Sequence, residues 1–162
     1  MSEAIDFKQI TKEELDAYKG VLLPMIYEEL SQQDDIETEY IGIAATEGEK
    51  VIGAIVAEPD DDGDLTLLSV WVVPEKRNEG VASQLLQKML YVAYRLYNWE
   101  DGQYGDDITL KTMYCLADEY REPFEKWLEK NDFTDFFITR TSRLGQPDIC
   151  TASAEIHMYR YE

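Results

Sequence analysis

The sequence predicts an α/β (α+β) fold built on a mixed, mostly antiparallel sheet of about seven strands, flanked by about four helices. Three observations carry this. Apolar stretches at Tyr40–Thr46, Val51–Glu58 and Leu65–Val73 are separated only by short acidic turns containing Gly48 and Gly63, the mark of an antiparallel meander. The third stretch runs through Pro74 into a long amphipathic helix opening at Gly80. Ile108–Met113 then reads as a strand after that helix, and a strand–helix–strand unit favours parallel pairing through a right-handed crossover.

The remaining elements follow in chain order. Ile5–Ile10 alternates apolar and polar residues and reads as a first strand. Thr11-Lys12-Glu13-Glu14 has the spacing of a capping box, which predicts a helix from there through Leu22 and Leu23. Pro24 is expected to end or kink it, with a second short helix over Met25–Ser31 and an acidic loop over Gln32–Glu39. The long helix carries Val81, Leu85, Leu86, Met89, Ala93 and Leu96 on one face and fades at Asn98, with Trp99–Asp107 a loop. Tyr120–Lys130 is a helix with Phe124, Trp127 and Leu128 apolar, closed by Asn131 and Asp132. Phe133–Thr139 and Thr151–Tyr161 are strands joined by the polar loop Arg140–Ile149.

No repeat, low-complexity tract or linker interrupts the 162 residues, so residues 1–162 read as one domain. At 44% hydrophobic and 12% aromatic the chain can fill a core. Its apolar runs fall short of the roughly 18 residues needed to span a membrane. MSEAIDFKQI lacks the basic and apolar regions of a signal peptide. Two cysteines (Cys115, Cys150) and one histidine (His157) make neither a disulfide framework nor a zinc site, so reduced thiols, a cytoplasmic setting and no metal are expected.

With 34 acidic residues against 15 basic the net charge is −19. Nucleic acid and anionic membranes, which need positive surface, are disfavoured as partners. A cationic partner would be attracted, although acidity that serves only solubility is an equal reading. A phosphate-bearing ligand would have to be held by local geometry against the overall field.

One turn has that geometry. Arg77-Asn78-Glu79-Gly80-Val81-Ala82 lies between a strand ending Val72-Val73-Pro74 and the long helix. The first N–H groups of a helix lack partners within it, and its dipole is positive there. Gly80 lets an anion approach the backbone, Ala82 leaves the first turn uncrowded, and Arg77 can add a forked charge.

This order of elements, together with Arg77-x-x-Gly80-x-Ala82 and the hairpin Glu49-Lys50-Val51-Ile52-Gly53-Ala54, resembles the GNAT (GCN5-related N-acetyltransferase) superfamily. In element order the resemblance covers nearly the whole chain. In residue identity it is concentrated between Val51 and Leu90. The hexad alone is a weak signal; in this setting it is a specific one.

The resemblance implies an N-acetyltransferase that moves the acetyl group of acetyl-CoA directly to a primary amine of a small-molecule or peptide acceptor. It implies a fourth and fifth strand splayed apart, with the pantetheine arm paired along Trp71, Val72 and Val73. It implies a diphosphate held by Arg77, Asn78, Glu79, Gly80, Val81, Ala82 and Ser83. The acceptor region matched to the family is Met25–Tyr40 and Arg140–Ile149. There Glu28, Glu29, Asp34 and Asp35 suit a cationic acceptor, or form only a solvated face. A homodimer through the last strand is a further expectation.

The chain departs from the family pattern where proton transfer is concerned. Leu128 stands where the family often has a catalytic tyrosine, and Arg121 and Phe124 replace the usual Asn and Ala. Tyr114 and Tyr120 are the substitute acids, each of which could instead be a packed aromatic. Asp64 and Glu58 are candidate bases, or members of a solvated turn. The alternative function is a non-catalytic acyl-CoA-sensing or protein-binding module on the same fold.

Overall fold

A computed structural model of the protein describes residues 4–59, 64–97, 107–115, 119–139 and 148–157. Seven strands form one sheet: β1 (Ile5–Gln9), β2 (Ile41–Glu47), β3 (Lys50–Pro59), β4 (Leu65–Val72), β5 (Asp107–Cys115), β6 (Asp135–Thr139) and β7 (Ile149–His157). Their order is β1-β2-β3-β4-β5-β7-β6. Every neighbouring pair is antiparallel except β4 and β5, which are parallel across the long helix. This is the mixed sheet expected from the alternation of elements. The β2–β3 hairpin turns at Gly48, whose φ of 63° supplies the left-handed backbone that a tight turn needs.

Among the described residues four α-helices cover the sheet: α1 (Pro24–Ser31), α2 (Ile36–Glu39), α3 (Val81–Tyr97) and α4 (Arg121–Lys130). On one face α3 buries Val81, Leu85, Leu86, Met89, Leu90, Ala93 and Tyr94 against the sheet, joined by Leu128 and Phe133 from α4 and its exit. The stripe is wider than the one read from spacing alone, because Leu90 and Tyr94 are also buried. The side chain of Leu96 lies outside the described residues. On the opposite face Leu15, Tyr18, Val21, Leu30, Ile36 and Tyr40 pack on Ala44, Ala54 and Val56. Among the described residues no helix is long and apolar enough to cross a membrane.

The first helix departs from expectation. Residues Leu15–Val21 form a 3-10 helix, preceded by turns rather than by a capping box. Leu15, Tyr18 and Val21 are the buried residues, and a spacing of three matches three residues per turn. The Glu14 carboxylate, instead of reaching back to Thr11, accepts the Tyr18 hydroxyl at 2.9 Å. Pro24 does not kink this helix but opens α1 at its first position, where a missing N–H costs nothing. The acidic loop contains α2, held by Ile36, which is buried.

The exit of α4 is a Schellman motif. Phe133 N–H reaches Leu128 C=O at 3.0 Å and Asp132 N–H reaches Glu129 C=O at 3.2 Å. Asp132 takes the left-handed position usually held by glycine, at φ 72°. The last strand's expected end, beyond His157, lies outside the described residues, as do the loops at 98–106 and 140–147.

Two irregularities shape the centre of the sheet. Val56 faces Ser69 while Ala57 faces Leu67, so β4 carries one extra residue at Leu68. The β4–β5 pairing covers only Leu65–Leu110, Thr66–Lys111 and Leu67–Thr112. Thr112 donates its hydroxyl to Leu67 C=O at 3.0 Å at the last rung. Beyond it β5 pairs with β7 as far as Ile149, and among the described residues Leu68–Val72 has no strand on that side. The bulge and the early end of pairing open a slot in the sheet.

Candidate active site

Two cavities adjoin at that slot. The larger, about 610 Å³, is bounded by Val70–Val72 of β4, the turn Lys76–Asn78, the start of α3 and one side of α4. The smaller, about 230 Å³, lies where β4 and β5 part, between Leu67–Trp71, Thr112–Tyr114 and Leu23. Val70, Trp71, Tyr120 and Phe124 line both.

The turn into α3 leaves its backbone open. A 3-10 turn at Pro74–Lys76 leads into Arg77, then Asn78 at φ 68° and Gly80 at φ 83°. The first backbone bond of α3 is Gln84 N–H to Gly80 C=O at 3.0 Å, so the N–H groups before Gln84 have no partner in the helix. A Cβ built on Gly80 would meet nothing within 4 Å. The space above the turn is therefore open, and glycine is needed here for its backbone angle. Glu79, whose carboxylate would repel an anion, is exposed.

The cavity resolves the conflict with the overall charge. Among the described residues its lining holds Lys76, Arg77, Lys126 and Lys130 against one carboxylate, Glu122, in a chain of net charge −19. Lys76 is held by Glu47 at 2.9 Å, which pushes its pKa up, so it stays charged.

Arg77 does more than project toward an anion. Its Nε donates to Val72 C=O at 2.8 Å, and its guanidinium lies 4.3 Å from the Trp71 ring centroid and 5.4 Å from that of Tyr120. Trp71 and Tyr120 meet edge to face at 5.4 Å. The arginine thus ties the end of β4 to the residue that precedes α4. Its Nη2 is buried with no hydrogen-bond partner among the described residues. A buried guanidinium nitrogen without an acceptor, beside an open turn of free N–H groups, fits an anionic group.

Ser83, in the first turn of α3, accepts from Trp127 Nε1 at 3.1 Å and from Asn131 Nδ2 at 3.2 Å. These bonds hold α4 beside the turn at Gly80. Sequence reasoning placed Ser83 among the residues at the phosphates and missed this second task. An indole and an amide on the next helix leave no local signature. Val81 is buried and Ala82 partly so, which keeps the first helical turn narrow.

The candidate acids differ in their surroundings. The Tyr114 hydroxyl donates to Glu125 Oε2 at 2.5 Å, and its ring meets Phe124 edge to face at 5.3 Å. Burial, then bonds with Cys150 and Glu125, push its pKa far above the ordinary phenol value. Glu125 also holds Arg121 at 3.1 Å. Tyr120 is partly exposed (43%) at the junction of the two cavities. Leu128, at the position of the family tyrosine, is fully buried in the core.

The candidate base Asp64 is elsewhere. Its Oδ1 accepts Thr109 N–H at 2.9 Å at the start of β4, on the paired side of the split, and it lines neither cavity. This carboxylate joins β4 to β5. Glu58 is exposed on β3, where partial burial and the charges of Glu29 and Glu39 push its pKa up. The acidic residues of the acceptor region are also outside both cavities. Glu28, Asp34 and Asp35 are exposed, and Glu29 is exposed with its carboxylate accepting the Tyr40 hydroxyl at 2.5 Å. The loop at 140–147 lies outside the described residues. Among the described residues no cluster could hold a metal ion.

Comparison with known proteins agrees with this architecture. Among curated proteins none matches the sequence. The ribosomal-protein-S18-alanine N-acetyltransferase of Escherichia coli superposes with a TM-score of 0.68 at 15% identity, covering 95% of this chain and 95% of its own. Ard1 from Thermoplasma volcanium gives 0.66 at 12% identity, covering 94% and 98%. The PaiA N-acetyltransferase from Thermoplasma acidophilum, solved in complex with coenzyme A, gives 0.59 at 14% identity, covering 91% and 98%. At these identities the likeness is one of fold. The sequence pattern of the acetyltransferase (GNAT) family matches residues 7–100, more than half of the chain, and the protein belongs to that family.

Proposed function

We propose that the chain is a single acetyl-CoA-dependent N-acetyltransferase domain that passes the acetyl group directly to a primary amine. The observation that carries this reading is the pairing of an open turn at Gly80 with the unpartnered Nη2 of Arg77, at the mouth of a split between parallel strands. The N–H groups of Val81, Ala82 and Ser83, with the lysines around them, would hold the diphosphate. The edge of β4 freed beyond Leu67 would pair with the pantetheine arm as an added strand does. Bound there, acetyl-CoA supplies the activated acetyl group.

The chemistry asks little of side chains. An alkyl ammonium, with a pKa of about 10.4, must first lose a proton to solvent or a base. The amine nitrogen then bonds to the thioester carbon, the carbon–sulfur bond breaks, and sulfur leaves as a thiolate that is reprotonated. With a parent pKa of about 8.5 that thiolate departs readily. Holding the two reactants together in the slot can therefore supply much of the rate. Tyr120, between the two cavities, is the better placed proton donor, because Tyr114 lines only the smaller one. The acidic face of α1 and the turn after it would draw a cationic acceptor toward the smaller cavity.

Calorimetric titration of acetyl-CoA into the folded protein tests the cofactor part; no binding at millimolar ligand would overturn it. Release of thiol above the hydrolysis blank across a panel of amines tests transfer. Binding without turnover for every amine would favour instead a non-catalytic acyl-CoA sensor, the reading that Leu128 in place of a catalytic tyrosine supports.

A further inference from the structure

Ser69 is unusual among the residues at the slot. It follows the extra residue of the β4 bulge, is 5% exposed, and lines the smaller cavity. Its hydroxyl is buried with no hydrogen-bond partner among the described residues. A buried hydroxyl without a partner costs free energy, and folded chains seldom keep one unless something else supplies the bond. A β4 side chain in this cavity, beside the split, is well placed to meet an acceptor entering from that side.

The rest of that cavity describes what the acceptor carries. Its wall is apolar: Leu23 and Met113 at the rim, with exposures of 48% and 65%, and Leu68, Trp71 and Phe124 further in. Among the described residues no carboxylate lines it. The one charged side chain among them, Arg121, is a cation paired with Glu125. A second ammonium placed there would lose water and gain no counter-charge from the wall, which is costly. A hydrocarbon or aromatic group would cover the exposed leucine and methionine at a gain.

Resting on the acetyltransferase reading above, we propose that the acceptor is a primary amine borne on an apolar or aromatic body, whose nitrogen donates a hydrogen bond to Ser69 Oγ while the body lies against Leu23, Trp71 and Met113. The single positive charge of such an amine is still drawn by the acidic face outside. Inside, it is discharged before attack, so the apolar wall opposes nothing that reacts. Polyamines and other multiply charged amines are then poor acceptors.

The test compares phenethylamine, octylamine and spermidine as acceptors, reading CoA thiol release by the full chain. Phenethylamine or octylamine is expected to exceed spermidine in kcat/KM by about tenfold or more, the range that apolar contacts set in enzyme specificity. A preference for spermidine overturns the proposal while leaving acetyl transfer intact. Met113→Asp, at an exposed position that tolerates a charge, is expected to narrow or reverse that ratio; an unchanged ratio counts against the apolar wall. Ser69→Ala should raise KM for the amine about fivefold, leave KM for acetyl-CoA unchanged, and keep or raise the melting temperature. A lower melting temperature with unchanged amine KM would make the hydroxyl structural and refute its part. If no amine turns over, saturation-transfer NMR on the CoA-loaded protein still decides. Phenethylamine binding that weakens in Ser69→Ala supports the proposal, and spermidine binding alone sinks it.

Discussion

The guanidinium of Arg77 lies over the ring of Trp71, 4.3 Å from its centroid, while its Nε donates to Val72 C=O. The turn that leads to Gly80 and the strand that walls the slot are thus one unit. Arg77→Lys removes the fork and the stacking but keeps the charge. We expect the variant to lose about 1–3 kcal/mol of stability, the usual worth of a charged hydrogen bond, and acetyl-CoA to bind more weakly. Urea unfolding and calorimetry read the two effects separately. Full retention of both would show that neither the clasp nor the unpartnered Nη2 matters.

Gly80→Leu separates backbone need from ligand need. A Cβ meets nothing within 4 Å there, so in the free protein the cost is the φ of 83° alone, about 1–2 kcal/mol. In the complex the new side chain would stand where the diphosphate approaches the helix N-terminus. A rise of about tenfold or more in the acetyl-CoA dissociation constant is expected, with the circular dichroism spectrum unchanged. Equal affinity in the variant would remove the phosphate from this turn.

Ser83→Ala tests what holds α4 in place. Trp127 Nε1 loses its acceptor and Asn131 Nδ2 keeps only Trp127 C=O, at a cost of about 1 kcal/mol for part-buried bonds. Because α4 carries Lys126, Lys130 and the Phe124 wall, KM for acetyl-CoA should rise along with the fall in stability. Thermal melts and initial rates measure both. Unchanged stability would mean that water replaces the serine.

Tyr120→Phe keeps the edge-to-face contact with Trp71 and removes only the hydroxyl. Since a thiolate of parent pKa about 8.5 leaves readily, kcat should fall by about tenfold or less, with KM for both substrates little changed. A kcat equal to that of the parent protein would make the tyrosine a packing residue.

Glu58→Gln addresses the acidic face. Partial burial, then Glu29 and Glu39, raise the Glu58 pKa above its ordinary 4.5, so the folded state holds this proton more tightly than the unfolded one. Its contribution is therefore fully present below pH 4.5 and is lost as pH rises through the raised value. Replacing the carboxylate should raise the melting temperature at pH 7.5 more than at pH 4.5. An equal shift at both values would show that the carboxylate feels no repulsion.

Much of this protein can be read from local chemistry. The meander, the strand that breaks at Pro74, the Gly80 turn and the α3 stripe depend on residues close in sequence, where periodicity and turn preference act. The stop at Asn131 and Asp132 was legible for the same reason. The 3-10 helix at Leu15–Val21 was not. Its pitch follows from three side chains fitting the sheet, which outweighed the capping spacing at Thr11–Glu14.

The catalytic assignments needed the third dimension. Asp64 looked like a base because it begins the right strand, yet its carboxylate is taken by Thr109, 45 residues away. Tyr114 and Tyr120 are equivalent in sequence. Only the fold puts Tyr114 beside Glu125 in the smaller cavity and Tyr120 at the junction of two cavities. The unpartnered Ser69 hydroxyl exists only once the β4 bulge is formed. By itself the sequence determined where the chain turns and which faces are apolar, because these are decided within one or two turns of backbone. Tertiary structure alone decided which polar groups find partners, because hydrogen bonds are settled by what long-range packing brings within about 3 Å.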